Sequence, residues 1–298
     1  MGLLPRRGGA GLPGAVAELR MSMSKQLTLQ QIEQARAHRW RTDPARHVQD
    51  ERGALRFVGE QGFVILMPIT GSELPSIHHA AGGNWGTWWD WKQTLPERRA
   101  CFYSHLLRRR GTFISWEWFP VFYAAYAEGK TAQQLFRDGL LDRAEKQVLD
   151  LLAERGPLLT RELRRAYAPS SKENTRRVKQ VLVELQHRLL ICAAGGETTG
   201  WSHHRWDLTE RWVAPEVLFS ARAISRAEAR ARLATQSIRN LLATTSADLA
   251  WLFGWERREA QELVAQAIAT DAAELVYVPE LEAEVVIPKP FPGGGRPR

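Results

Sequence analysis

Basic side chains recur at helical spacing in the segment that follows Pro169. Lys172, Arg176 and Lys179 are three or four residues apart, and this spacing places them on one face of a helix. Cations in such an arrangement neutralise nucleic-acid phosphates. In helix-turn-helix proteins the N-terminal part of the second helix enters the major groove. We therefore expect these three side chains to contact duplex DNA.

Residues near this segment extend the predicted contact. A serine at a helix start can hydrogen-bond a phosphate, and cations on the preceding helix or on a β wing can reach the flanking backbone. The candidates of this kind are Arg164, Arg165, Ser170, His203, His204 and Arg205. A solvated basic helix face and a surface for protein contacts remain the alternatives.

The positive charge of the chain is clustered. The 298 residues carry a formal charge of +8 with a pI of about 9.9. Residues 155–190 hold nine Lys or Arg against three acidic residues, and residues 211–239 hold six Arg against two Glu. Clustering of this kind favours a directional surface for a polyanionic partner.

A Gly-rich stretch contains several of the twelve tryptophans. Trp85, Trp88 and Trp89 lie between Gly82 and Thr94. Aromatic side chains on such a loop can stack on an unpaired or extruded base. The alternative is that they anchor the loop to the domain core.

Other kinds of site find little support. Cys101 and His105 have the i, i+4 spacing of a helical metal pair, but no second pair accompanies them, so we expect no metal and no cofactor. Two cysteines cannot form a disulfide framework, which favours a reducing cytoplasm. No apolar run reaches the ~18 residues that a membrane span needs.

The order of predicted elements is that of repeated winged helices. Periodicity predicts helices over residues 142–155, 160–167 and 172–189, then strands over 190–194 and 203–208. The order recurs with helices over 226–242, 246–253 and 256–270 and strands over 275–278 and 284–287. A third, altered copy is expected over residues 28–67, followed by a basic helix over 96–110.

The predicted fold class is mainly α with small β wings, built as tandem winged-helix (helix-turn-helix) repeats. The expected domains are a divergent N-terminal winged-helix-like unit with the Trp-rich loop, a central winged helix and a C-terminal winged helix, over residues 25–126, 127–215 and 216–288. Residues 1–24 and 289–298, rich in Gly and Pro, are expected to be disordered tails.

A series of short motifs runs from Gly62 to Tyr126. They are Gly62-Phe63-Val64, Pro68-Ile69, His78-His79, Trp91-Lys92, Tyr103, Leu107-Arg108-Arg109, Thr112-Phe113-Ile114-Ser115 and Pro120-Val121-Phe122-Tyr123. With the tandem arrangement, this series resembles the AlkZ-like family of winged-helix DNA glycosylases, which includes enzymes for alkylpurine excision and for repair of interstrand crosslinks. The resemblance covers roughly residues 27–288. It implies DNA binding, a role in DNA repair and, if the protein is active, hydrolysis of the N-glycosidic bond of damaged bases.

The family's catalytic motif is replaced in this chain. The resemblance implies a Gln, one residue, then Asp or Gln just before the turn at Pro68, where these side chains position the hydrolytic water. The aligned residues here are Ile65, Leu66 and Met67, which cannot bind a water. Gln61 and Glu73 are the substitute candidates, with Asp90 as a third.

The sequence therefore predicts a monomeric, cytoplasmic protein that binds double-stranded DNA and no membrane, linked to repair of alkylated or crosslinked bases, with its catalytic activity left open. A winged-helix transcriptional regulator that uses the same helices on an operator is the main alternative. A winged-helix module for protein contacts is the third.

Overall fold

The computed structural model describes residues 26–70, 74–198 and 203–292. The chain divides into two compact units, one taking residues 1–48, 67–83 and 230–298 and the other residues 49–66 and 84–229. The fold is mainly helical with small antiparallel sheets. Within the described ranges, no helix is both long enough and apolar enough to cross a bilayer.

The α-helices are named here in chain order. They are α1 (Leu29–Arg39), α2 (Glu51–Gln61), α3 (Ile77–Ala80), α4 (Trp91–Glu97), α5 (Phe119–Tyr126), α6 (Ala132–Arg137), α7 (Arg143–Arg155), α8 (Thr160–Tyr167), α9 (Lys172–His187), α10 (Thr209–Trp212), α11 (Pro215–Arg222), α12 (Arg226–Leu241), α13 (Ser246–Phe253) and α14 (Arg257–Ala269).

The strands form three small sheets. They are β1 (Phe63–Ile65), β2 (Phe102–His105), β3 (Gly111–Ile114), β4 (Leu158–Leu159), β5 (Ile191–Glu197), β6 (His203–Leu208), β7 (Ala273–Val278) and β8 (Ala283–Pro288). The sheet orders are β1-β3-β2, β4-β6-β5 and β7-β8, with every strand pair antiparallel.

In the first unit, one apolar cluster joins the hairpin β7–β8 to helix α1. Its buried members are Leu27, Ile32, Leu242, Val276, Val278, Val285, Ile287 and Phe291. Arg36 of α1 donates from Nε to the Leu241 carbonyl at 3.0 Å and from Nη2 to the Ala243 carbonyl at 2.9 Å. These bonds satisfy carbonyls at the end of α12 that have no helical partner.

The C-terminal tail predicted over residues 289–298 begins with ordered residues. The backbone N–H of Lys289 donates to the Ala272 carbonyl at 3.0 Å, and Phe291 is buried in the cluster just described. Residues 293–298 and the predicted tail over residues 1–24 lie outside the described residues.

In the second unit, α7, α8 and α9 lie beside the sheet β4-β6-β5. The sequence predicted these three helices and β6 closely, because each helix has a polar residue at its start. Asp142 caps α7 by accepting from the N–H of Glu145, and Ser171 caps α9 by accepting from the N–H of Asn174.

The predicted basic helix over residues 96–110 is wrong. Helix α4 ends at Glu97, and the chain then forms the hairpin β2–β3, in which Phe102 pairs with Ile114 and His105 with Gly111. Three consecutive residues of β2 are buried, so the polar–apolar alternation that marks a half-exposed strand is missing. The turn between the strands is tight, and Arg108 and Arg109 adopt positive φ values of 50° and 55°.

Candidate nucleic-acid interface

Helix α9 is oriented by its apolar side. Val178, Val181, Leu182 and Leu185 are buried, and burying each such side chain stabilises the fold by roughly 1.5–3 kcal/mol. This fixes the rotation of the helix about its axis. The opposite side is therefore held toward solvent.

That solvent-facing side has the three predicted cations. Lys172, Arg176 and Lys179 are exposed, and none of their side chains forms an ion pair with any residue that the structure describes. Surface lysines and arginines without a carboxylate neighbour keep their full charge available for an anion. The exposure of these side chains leaves them accessible to an anion, and their contact with DNA stays a prediction.

Other basic residues near α9 are used within the protein. Arg177 pairs with Asp142, the cap of α7, and Arg161 pairs with Glu197 of β5. Arg188 donates to Glu128 at 2.8 Å. These arginines therefore connect elements of the fold, whereas the cations on the open face of α9 do not.

The hairpin β2–β3 adds Arg110, a basic residue that the sequence analysis does not single out. Arg109 makes two hydrogen bonds to Glu184 of α9, at 2.8 and 3.0 Å, and this fork ties the turn to the helix. Arg110 is exposed. Burial, followed by the charges of Arg110 and Lys179, lowers the pKa of His105 to about 4. Arg110 and Lys179 are thus both near enough to this imidazole for their charges to lower its pKa.

We call Lys172, Arg176, Lys179 and Arg110 the basic surface. The signal for Arg110 was present in the sequence as a run of three arginines. The sequence does not single out Arg110, because its pattern predicts a helix over residues 96–110 that includes the whole run. Of the flanking candidates, Arg165 and Ser170 are exposed and Arg164 is half-buried.

The wing residues predicted to support this contact behave differently. His204 stacks on Tyr103, with ring centroids 5.6 Å apart and planes at 25°. Burial, then the nearby His105, Lys92 and His203, lowers its pKa to about 3. His204 is half-buried, with Nδ1 shielded from solvent, so its neutral ring is a weak partner for a phosphate, and its contact with DNA stays a prediction.

The other two wing candidates are half-buried. Arg205 reaches Glu97 at 3.4 Å, and His203 pairs with Glu197 across the β5–β6 ladder. The residues between β5 and β6, numbered 199–202, lie outside the described residues.

The substitute catalytic residues lose support. Gln61 is the last residue of α2 and is 1% exposed, so its amide does not face solvent where a substrate could bind. Gly62 closes the helix at φ 78°, and a Cβ there would lie 2.6 Å from Cδ1 of Trp118. Glu73 lies outside the described residues, and Asp90 is half-buried at the start of α4.

The positions that align with the family's catalytic motif are apolar and enclosed. Ile65 is 1% exposed and pairs with Thr112 in the sheet, and Leu66 is 5% exposed. The N–H of Leu66 donates to the Gly111 carbonyl at 2.8 Å. Met67 is half-buried. These three side chains cannot orient a water.

The tryptophans of the loop separate into two groups. Trp88 is 3% exposed and donates from Nε1 to the Asn84 carbonyl at 2.6 Å, which corrects its prediction as a base-stacking residue. Trp85 is 71% exposed and stacks on Trp88 with centroids 5.5 Å apart. Trp89 is half-buried and meets Trp85 edge-on at 5.1 Å. Trp85 therefore has an open face for a base, on a platform that Trp88 anchors.

The described residues contain no group of three or more His, Cys, Asp or Glu that could hold a metal ion. Cys101 and His105 do not share a helix face, because His105 lies on a strand. Burial raises the pKa of the Cys101 thiol far above its ordinary value. This thiol therefore stays protonated, which makes it a poor metal ligand.

Comparisons with known proteins found one family model and one similar solved structure. The model of the family described as AlkZ related matches residues 48–254. Among solved structures, the chain is similar to the DNA glycosylase AlkZ of Streptomyces sahachiroi, with a TM-score of 0.53 and 13% identity over 88% of this chain and 70% of that one. No curated protein matches. Because the family model covers more than half of the sequence, the chain belongs to the AlkZ-related family.

Proposed function

We propose that this protein binds duplex DNA as a tandem winged-helix protein and recognises alkylated or crosslinked bases. The observation that carries the proposal is the exposed row of Lys172, Arg176 and Lys179 on α9, which has no acidic partner in the described chain. Helices α7, α8 and α9 followed by β5 and β6 have the element order of a winged helix. In this arrangement α9 is the helix that enters the groove.

The hairpin arginine broadens this contact. Arg110 is exposed on the hairpin that Arg109 ties to α9, so a duplex lying along α9 would meet positive charge from two separate elements. Arg165 and Ser170 are exposed just before the helix and suit contacts to the phosphate backbone. Contacts of this kind fix register and orientation without reading sequence, which suits a protein that must find damage in any sequence.

Lesion recognition in this proposal depends on the Trp-rich loop. Trp85 presents an exposed ring supported from behind by Trp88. Stacking of a base on such a ring is worth ~1–3 kcal/mol. Damaged bases are the easiest to extrude because they are the most weakly stacked and paired.

The proposal excludes base excision by the family's usual motif. Hydrolysis of an N-glycosidic bond needs a polar group to orient the water and to stabilise charge on the sugar. Ile65 and Leu66 are buried and apolar, and Gln61 is buried. Recognition of damage without this excision step is the function that these residues support.

The experiment compares three duplexes of identical sequence: undamaged, carrying one alkylated purine, and carrying one interstrand crosslink. Fluorescence anisotropy at a fixed salt concentration gives the affinities, and alkaline cleavage reports any abasic site formed. We expect a preference for the damaged duplexes in every flanking sequence, with no base release.

A preference of 10³-fold or more for one undamaged sequence, together with dimerisation, would indicate a transcriptional regulator instead. Equal affinity for all three duplexes would refute the recognition of damage. Release of a base would refute the loss of excision.

A further inference from the structure

Lys92 is a buried lysine in the middle of the second unit. It is 4% exposed, and its Nζ lies 3.5 Å from the ring centroid of Trp89 and donates to the Trp89 carbonyl at 2.7 Å. No carboxylate of the described chain lies within ion-pair distance of it. Lysine is almost never buried unless it is paired, so this position needs an explanation.

The charged groups around Lys92 come from two elements. Burial lowers the pKa of Lys92 to about 7, and Asp90, just before α4, opposes this shift. His204 of β6 is near enough for its own pKa to be lowered by Lys92. Near neutral pH a large share of an amine with this pKa is uncharged, whereas an ordinary lysine is almost entirely protonated. A neutral amine is the form that attacks a carbonyl carbon.

Neighbouring polar groups are also buried and unsatisfied. Gln93 is 0% exposed, and neither its Oε1 nor its Nε2 has a hydrogen-bond partner among the residues that the structure describes. The same holds for Nδ1 of His105 and of His204. A buried polar group that is left unpaired destabilises the fold, so these groups are suited to a polar ligand. We call Lys92, Gln93, His105 and His204 the buried polar cluster.

This cluster lies next to the proposed DNA contact. Tyr103 contacts both His105 and His204, with ring centroids 6.3 and 5.6 Å away, and the hairpin that holds Tyr103 and His105 is tied to α9 through Arg109 and Glu184. Trp89 covers the amine and touches Trp85, the exposed ring of the loop. A cation for phosphate, an aromatic ring and an uncharged amine are therefore brought together in one unit.

We propose that Lys92 captures the aldehyde of an abasic deoxyribose in duplex DNA as an imine. Trp85 fills the gap that the missing base leaves in the stack, and the sugar displaces Trp89 from the amine. The Nζ lone pair attacks C1′ of the open-chain sugar, and the carbonyl electron pair moves to oxygen. A proton moves from nitrogen to this oxygen and gives a carbinolamine. Its hydroxyl takes one proton from the medium and leaves as water, and the proton still on nitrogen returns to the medium, so one water leaves for each imine formed. This inference rests on the proposed function, because it requires duplex binding.

The test uses the full chain, sodium cyanoborohydride and a duplex with one abasic site. The reductant converts an imine to a stable secondary amine, so a covalent complex is expected on a denaturing gel. Peptide mapping should place the adduct on Lys92, and an undamaged duplex should give none. An adduct on another lysine, or no adduct while the duplex remains bound, would overturn the proposal.

Two variants sharpen the result. Lys92→Met keeps an unbranched side chain that is one atom shorter, removes the amine and should reduce trapping to background. Lys146→Met is the matched control, since Lys146 is also partly buried but pairs with Asp150 at 2.6 Å, and it should trap as the unaltered protein does. Circular dichroism checks that both variants fold. If Lys92→Met does not fold, the peptide mapping of the unaltered protein still shows which lysine forms the adduct.

A second probe separates this inference from the proposed function. 2-Deoxyribose 5-phosphate offers the same aldehyde without a duplex. If the protein binds no DNA but this sugar labels Lys92, the proposed function fails and the imine at a DNA site fails with it. If DNA binds and the sugar labels Lys92 while the abasic duplex does not, only the inference is refuted.

Discussion

Replacing His204 tests the buried polar cluster directly. The imidazole stacks on Tyr103 and its pKa is lowered to about 3, first by burial and then by the nearby His105, Lys92 and His203. Phenylalanine keeps the stacked ring and removes the titration. The variant His204→Phe is therefore expected to fold and to lose one source of acid sensitivity.

The direction in which pH changes the unfolding free energy follows from the difference between the folded and unfolded pKa values. A histidine whose folded pKa lies below its unfolded value stabilises the fold fully above about pH 6.5, and this stabilisation is lost as the pH falls from there toward 3. With an unfolded pKa of 6.5, protonation of the unfolded chain at pH 5 removes about 2 kcal/mol. The value at pH 5 is insensitive to the folded pKa as long as that pKa lies well below 5.

Urea unfolding at pH 8 and pH 5 measures this effect. We expect the loss of unfolding free energy between the two pH values to be about 2 kcal/mol smaller in His204→Phe than in the unaltered protein. His38→Phe is the matched control, since His38 is exposed on α1, and it should leave the difference unchanged. Equal pH dependence of His204→Phe and the unaltered protein would refute the enclosure of this ring.

Three further predictions concern single side chains. Trp85→Ala should weaken binding to a duplex with an extruded or unpaired base by ~1–3 kcal/mol without changing the melting temperature, which anisotropy and calorimetry check. Trp88→Ala, at a position 3% exposed, should instead destabilise the fold by ~3–5 kcal/mol in urea unfolding. Asp142→Ala removes the cap of α7 and the partner of Arg177, so it should cost ~1–2 kcal/mol of unfolding free energy; no change would mean that neither contact contributes.

Much of the helical framework could be predicted because local signals decide it. Asp142 and Ser171 mark helix starts, and the apolar side of α9 follows the helical period. The hairpin β2–β3 could not be predicted from alternation, because three consecutive residues of β2 are buried. Its turn at Arg108 and Arg109 requires positive φ at residues that rarely adopt it.

The exposed positions of Lys172, Arg176 and Lys179 on α9 could be predicted, because they follow from the helical period alone. The burial of Lys92 depends on α4 packing against β5, where Gly196 allows the side chain of Gln93 to approach. No local pattern encodes this packing. The stacking of His204 could not be predicted for the same reason, since it depends on Tyr103 from a distant strand.

The central claim is that the basic surface binds duplex DNA, and the salt dependence of binding tests it most directly. Arg176→Ala combined with Lys179→Ala should weaken binding and lower the slope of log K against log salt by about 1 for each side chain. The control combines Arg258→Ala with Lys146→Ala, which removes the same charge from residues paired with Glu262 and Asp150. If both double variants change the slope equally, binding depends on net charge alone and the assignment of this face of α9 is contradicted.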